Sequence, residues 1–234
     1  MKVAVVSNNG TCGKTVVAAH LLGPRLGAPI ISVETTNESA ALFGVETELL
    51  AASKFQHIHA ALSDADDVIL DVGASNIKEF LIGLVKYDDA HLEIDYYVIP
   101  VKNKTREKKE AIKMVSILSD LGVPSERIRI VFNFVNEDVE EEFEEIINYV
   151  QQSGKAVVNT AAAIYDTELF SLLETEKLTV AALLSDETDY KALLREHRDA
   201  PEEEKARWRE LLGLKALGRS VNRNLDEVFA AVFA

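Results

Sequence analysis

Lys14 and Thr15 are the residues with the clearest chemical task in this chain. They close the stretch VVSNNGTCGKTVV, Val5 to Val17, which ends as a phosphate-binding loop of the form G-x-x-x-x-G-K-[ST] ends. Such a loop turns backbone N–H groups inward around phosphate oxygens, above a helix N-terminus. A lysine then reaches the outer phosphates and a hydroxyl ligates Mg²⁺. Gly10, Thr11, Cys12, Gly13 and Val16 supply the main chain around Lys14 and Thr15, with Cys12 as a spacer. Asn8 stands where the first glycine belongs. The exchange is tolerable because asparagine enters left-handed backbone regions more easily than other non-glycine residues.

Asp71 ends the apolar run Val68-Ile69-Leu70. A lone aspartate at the C-terminal end of a strand lies beside the ligand crevice of an open α/β sheet. A simple strand-end turn is the plainer reading of the same residue. Asn133, inside VFNFV, reads on residue type alone as a polar group capping a strand end.

These residues need a scaffold, and the periodicity supplies one. Short apolar runs at 3–7, 29–34, 67–72, 94–101, 127–135 and 155–160 alternate with helix-length segments at 14–26, 38–52, 76–87, 105–121 and 139–152. That alternation predicts βαβ units, and runs apolar on both faces suit strands covered by helices on both sides. The expected fold is α/β, a doubly wound and mostly parallel sheet, followed by a helical C-terminal extension. Strand signals fade after Asp166, so the expected division is a nucleotide-binding α/β domain over 1–165 and a helical region packed on it over 166–234. Helices are expected there at about 166–175, 187–198, 201–217 and 222–233.

Composition bounds the function. The 234 residues carry a net charge of −14, which argues against a surface built to hold nucleic acid throughout. One cysteine allows no internal disulfide and fits a reducing compartment, so the reading is cytoplasmic. No window approaches the ~20 apolar residues that span a bilayer. Local charge runs do occur: six basic residues against two acids over 102–113, seven acids over 137–145, and six basic residues against Glu210 over 205–224. Solvated helix faces account for the first two. His57 and His59 lie two apart, diverge on a helix and have no third ligand nearby, so no metal other than Mg²⁺ is expected. The apolar tail NLDEVFAAVFA reads as a packed helix, because Asp226 and Glu227 occupy places where a membrane-surface helix would carry Lys or Arg.

With these motifs in hand the chain resembles a known family. NGTCGKT, Asn9 to Thr15, is similar to the deviant loop K-G-G-x-G-K-[TS] of the ParA/MinD group of P-loop ATPases. DDVILDVGASN (66–76) resembles that family's Walker B strand and second switch. YYVIPVKNKTREKKEAIKMV resembles its IPV strand and following helix, and RIVFNFVNE the strand carrying a base-contacting asparagine. The resemblance covers about residues 1–180, and within the family the chain resembles the plasmid stabilisation proteins of conjugative plasmids.

The resemblance implies ATP or ADP with Mg²⁺ as cofactors. Lys14 would bind the β- and γ-phosphates, Thr15 would ligate Mg²⁺, and Asp71 would hold the metal through water. Gly73 would begin the switch that senses the γ-phosphate, and Asn133 would contact adenine. Two departures stand out. Asn9 replaces a signature lysine that reaches across an ATP-bound dimer, which removes a charge-assisted contact from a homodimer. Glu34-Thr35-Thr36-Asn37-Glu38 replaces D-x-D-P-Q, leaving Glu34 as the matching catalytic acid and predicting slow hydrolysis. The implied function is an ATP-driven switch with weak or partner-stimulated hydrolysis, acting in plasmid or DNA positioning, stability or conjugation. Its implied partner is a DNA-binding adaptor protein, with non-specific DNA contact through 205–224. Two alternatives are a non-hydrolysing nucleotide-gated scaffold and a small-molecule kinase or ligase of the dethiobiotin synthetase type.

Overall fold

The computed structural model describes residues 1–34 and 43–234. Among the described residues seven strands form one sheet: β1 (Lys2–Val5), β2 (Ile30–Val33), β3 (Thr47–Leu50), β4 (Val68–Val72), β5 (Tyr96–Val101), β6 (Ile128–Val135) and β7 (Ala163–Tyr165). Their order is β3-β2-β4-β1-β5-β6-β7, and every pairing is parallel. The sequence order reverses on either side of β1, so a crevice opens at the C-terminal end of β1 between β4 and β5.

Helices cover both faces. The first, α1, runs through Lys14–Val16, a wider π-helical stretch Val17–Leu22, and Gly23–Leu26. It shares one face of the sheet with α6 (Leu169–Glu176), α7 (Val180–Ser185) and α9 (Glu202–Val232), and α8 (Tyr190–Glu196) packs on α9. The apolar side of this layer joins Val17, Leu21 and Leu22 to Leu225, Val228 and Val232 over Val3, Val5 and Ile69. The opposite face carries α2 (Phe55–Asp64), α3 (Ile77–Lys86), α4 (Thr105–Asp120) and α5 (Val139–Ser153). Phe80, Leu84, Met114, Leu118, Phe143 and Ile146 are buried there against Leu70, Ile99 and Ile130. Each such side chain contributes roughly 1.5–3 kcal/mol by leaving water. Helix α3 can lie against Phe55 only because residue 83 is glycine; a Cβ there would overlap the Phe55 ring.

The acidic run over 137–145 has a local cause. Asp138 caps α5 by accepting from Glu141 N at 2.9 Å, and Glu140, Glu141 and Glu142 stand in the first turn, where the helix dipole favours negative charge.

Several predicted elements are corrected. Of the helix expected over 38–52, residues 38–42 lie outside the described residues, and Thr47–Leu50 forms the edge strand β3 against β2. Its side chains are half-buried or exposed, so no apolar alternation announced it. The run at 155–160 makes only an isolated bridge, Val157 to Arg129. Asn159 then turns the chain by accepting from Ala161 N through its side chain and from Ala162 N through its carbonyl, and the last strand starts at Ala163. The helices expected at 201–217 and 222–233 are one helix, α9. The apparent break is a contact surface: Gly218 lies against Leu183, Asn222 accepts from Arg25, and Asn224 donates to Ala163 O at 2.9 Å.

Candidate nucleotide-binding site

The predicted loop connects β1 to α1 at the crevice. Gly13 caps α1 in the left-handed region, φ 86° and ψ 33°. It must be glycine for a second reason, since a Cβ would overlap the side-chain amide of Asn133. Asn133 is fully buried; its Nδ2 donates to Cys12 O at 2.9 Å and its Oδ1 accepts from Phe134 N at 3.1 Å. The floor of the loop is therefore clamped from β6. The Sγ of Cys12 points back to Asn9 O, which fits the spacer role.

Lys14 is 6% exposed and folds over the loop, its Nζ donating to Asn9 O at 2.9 Å. Parallel pairing sets Asp71 of β4 beside Val5 of β1. From there Asp71 Oδ2 accepts from Thr15 Oγ1 at 3.0 Å. Burial pushes the Asp71 carboxyl up to about 6, and the Glu34 charge adds to that rise, while Lys14 and the Thr15 hydroxyl act the other way. Glu34 follows β2, and its carboxylate lies where a Cβ at position 73 would fall. Gly73 N in turn donates to Val33 O at 3.1 Å. Lys14, Thr15, Asp71, Glu34 and Gly73 thus meet in one place. Thr35, Thr36, Asn37 and Glu38 lie outside the described residues.

The first half of the loop is strapped to α4. Asn8 Nδ2 donates to Glu110 Oε2 at 3.1 Å, and Asn9 Nδ2 to Glu107 Oε1 at 3.3 Å. Thr11 Oγ1 also reaches Glu107 Oε1 at 3.0 Å, and Thr11 N donates to Asn9 Oδ1 at 2.9 Å. Sequence reasoning missed Glu107 and Glu110, which it counted only as the two acids of a basic run. Their position just after β5, the strand beside β1, was the available signal.

A buried carboxylate and a hydroxyl 3.0 Å apart are hard oxygen donors of the kind Mg²⁺ takes, and the raised Asp71 carboxyl marks a buried negative charge that a cation would relieve. Thr15 and Asp71 therefore fit the expected metal. Among the described residues no group of three or more His, Cys, Asp or Glu side chains could hold another. His59 pairs with Glu93 at 3.3 Å instead.

The basic segment over 205–224 is largely engaged within the chain. Arg207 pairs with Glu176 and Glu210, Arg209 and Lys205 with Glu202, and the buried Lys215 with Asp186. In the tail, Val228 and Val232 are buried, as expected of a packed helix. No helix among the described residues is long and apolar enough to cross a membrane.

No protein-family model matches the chain, and no curated protein matches it. Solved structures do. Apo McdA from Cyanothece superposes with a TM-score of 0.56 at 13% identity, covering 78% of this chain and 92% of that one. The MinD cell division protein of Aquifex aeolicus gives 0.54 at 15% identity, covering 80% and 90%. The septum site-determining protein MinD of Pyrococcus horikoshii, solved with Mg-ADP, gives 0.54 at 15%, covering 80% and 89%. The chain therefore has the α/β fold of the MinD-type P-loop ATPases, extended by a C-terminal helical region.

Proposed function

We propose that this protein binds ATP and ADP with Mg²⁺ and works as a slow, partner-stimulated ATPase switch in plasmid or DNA positioning. The observation that carries the reading is the meeting of Lys14, Thr15 and Asp71 at the mouth of a strand–loop–helix unit. Lys14 would leave Asn9 O for the β- and γ-phosphates, and its charge would balance theirs. Thr15 and Asp71 would hold Mg²⁺, which supplies charge neutralisation at the phosphates. Main-chain N–H groups from Asn8 to Val16 would cradle the phosphate oxygens. Glu34, beside Gly73, would orient the attacking water. To contact adenine, Asn133 would have to leave Cys12 O, because its side chain is fully buried beneath the loop.

The neighbours support the cofactor assignment, since one is a Mg-ADP complex. Another is a complex of MinD with MinC, which supports a protein partner as the reader of the switch. For this chain we assign that role to a DNA-binding adaptor of the same plasmid system, in line with the resemblance to plasmid stabilisation proteins. Non-specific DNA contact falls to Arg219 and Arg223, the two basic residues of 205–224 that make no ion pair among the described residues. A homodimer would form without the lysine that Asn9 replaces. Single-turnover phosphate release tests the ATPase reading. Slow release by wild type that disappears in Lys14→Ala is expected, and no release from either protein contradicts it.

A further inference from the structure

Asn9 leaves the loop without a second lysine, and its own side chain is already committed. The amide donates to Glu107, and its oxygen accepts from Thr11 N. Another cation stands close by. Lys102 is the first residue beyond β5, at the same crevice as the loop. Its Nζ lies 3.5 Å from the centroid of the Phe134 ring. Phe134 has a left-handed backbone, φ 57°, between Asn133 and Val135, where the register of β6 against β7 shifts. That geometry is costly for a non-glycine residue and places the ring beside the loop. A Cβ at Gly13 would be 3.3 Å from Phe134 Cε2. One aromatic ring thus separates the Lys102 ammonium from the residue that caps α1.

We propose that Lys102 supplies, from within the same chain, the cationic contact to the nucleotide's phosphate chain that Asn9 cannot make. The inference rests on the nucleotide-binding reading above. Among the described residues the Lys102 side chain makes no hydrogen bond and no ion pair, and its ammonium lies over the Phe134 ring. Burial of the ammonium lowers its pKa, with the Glu107 charge acting in the opposite sense. Glu107 is itself buried, and its Oε2 has no hydrogen-bond partner. Its negative charge faces the loop into which phosphates would come. A lysine turning from the ring to phosphate oxygen exchanges a cation–π contact for charge-assisted hydrogen bonds, the stronger of the two interactions. It would also offset Glu107.

The test is calorimetric titration of Mg-ATP into wild type, Lys14→Ala, Lys102→Met, Lys102→Arg and Lys104→Met. Lys102→Met keeps the apolar stem on Phe134 and removes only the charge. It is expected to weaken binding about tenfold to a hundredfold, the loss of one charge-assisted contact. Lys102→Arg should restore most of the affinity, and Lys104→Met, an exposed neighbour of equal charge, should bind as wild type does. If Lys102→Met does not fold by thermal melting, Lys102→Gln takes its place. Wild-type affinity in the neutral Lys102 variant, with Lys14→Ala inactive, overturns this inference and leaves the nucleotide site standing. An equal loss in Lys104→Met also overturns it, because the effect is then one of overall charge. Failure of wild type to bind Mg-ATP overturns both.

Discussion

Asp71→Asn should stabilise the empty protein while weakening its cofactor site. Burial pushes the Asp71 carboxyl up from 3.8 to about 6, with the nearby Glu34 charge adding to the rise. The folded state therefore binds the proton more tightly than the unfolded one, and stability falls as pH rises from about 3.8 through about 6. A shift of roughly 2 units corresponds to about 3 kcal/mol, fully expressed above pH ~7. An asparagine carries no charge and still accepts from Thr15 Oγ1. Urea unfolding followed by circular dichroism, with EDTA and no nucleotide, should show Asp71→Asn more stable than wild type by up to about 3 kcal/mol at pH 8. At pH 5 about half of that gain should be gone, since much of the wild-type carboxyl is then protonated. With Mg-ADP present the order should reverse, as only the wild type gains stability from bound ligand. A stability difference that is flat between pH 5 and 8, or a less stable Asp71→Asn at pH 8 without ligand, would refute this reasoning.

Three other perturbations probe different parts of the fold. His20 is buried between Phe43 and Phe170, its Nδ1 accepts from Val180 N, and burial holds its pKa down to about 3. A depressed histidine contributes stability that is present above pH 6.5 and lost as pH falls toward 3, so His20→Gln should remove about 2.5 kcal/mol of the decline between pH 7 and 4.5 in urea titrations. Asn133→Ala strips the buried Cys12 carbonyl of its donor, a cost of about 1–3 kcal/mol, which should appear as a lower melting temperature and a weaker response to Mg-ADP. Gly73→Ala drives a methyl into the Glu34 carboxylate; with Glu34 in its proposed water-orienting role, ATP turnover should fall by about a hundredfold or more, with ADP binding changed far less in titration.

The parts of this structure legible in the sequence were those with strong local signals. The runs that became β1, β2, β4, β5 and β6 are apolar on both faces, and GKT after an apolar strand located the loop within the fold. Asp71 could be placed because a strand-end aspartate lies beside the crevice, and Glu34 through the family resemblance; parallel pairing brings both strand ends to one edge. What escaped was decided by tertiary contacts. β3 is an edge strand whose side chains are half-buried or exposed, and β7 is three residues whose start is set by the Asn159 turn. Arg207 and Lys215 looked like a basic surface in sequence because their acidic partners, Glu176 and Asp186, lie some thirty residues away. The straps from Glu107 and Glu110 to the loop join residues about a hundred positions apart, beyond the reach of any local pattern.

Calorimetric titration of Mg-ATP into the wild-type chain and into Lys14→Ala tests the central claim most directly. Saturable binding to wild type with one nucleotide per chain, lost in Lys14→Ala while its melting temperature is kept, is the predicted result. Equally weak binding to both proteins would contradict it.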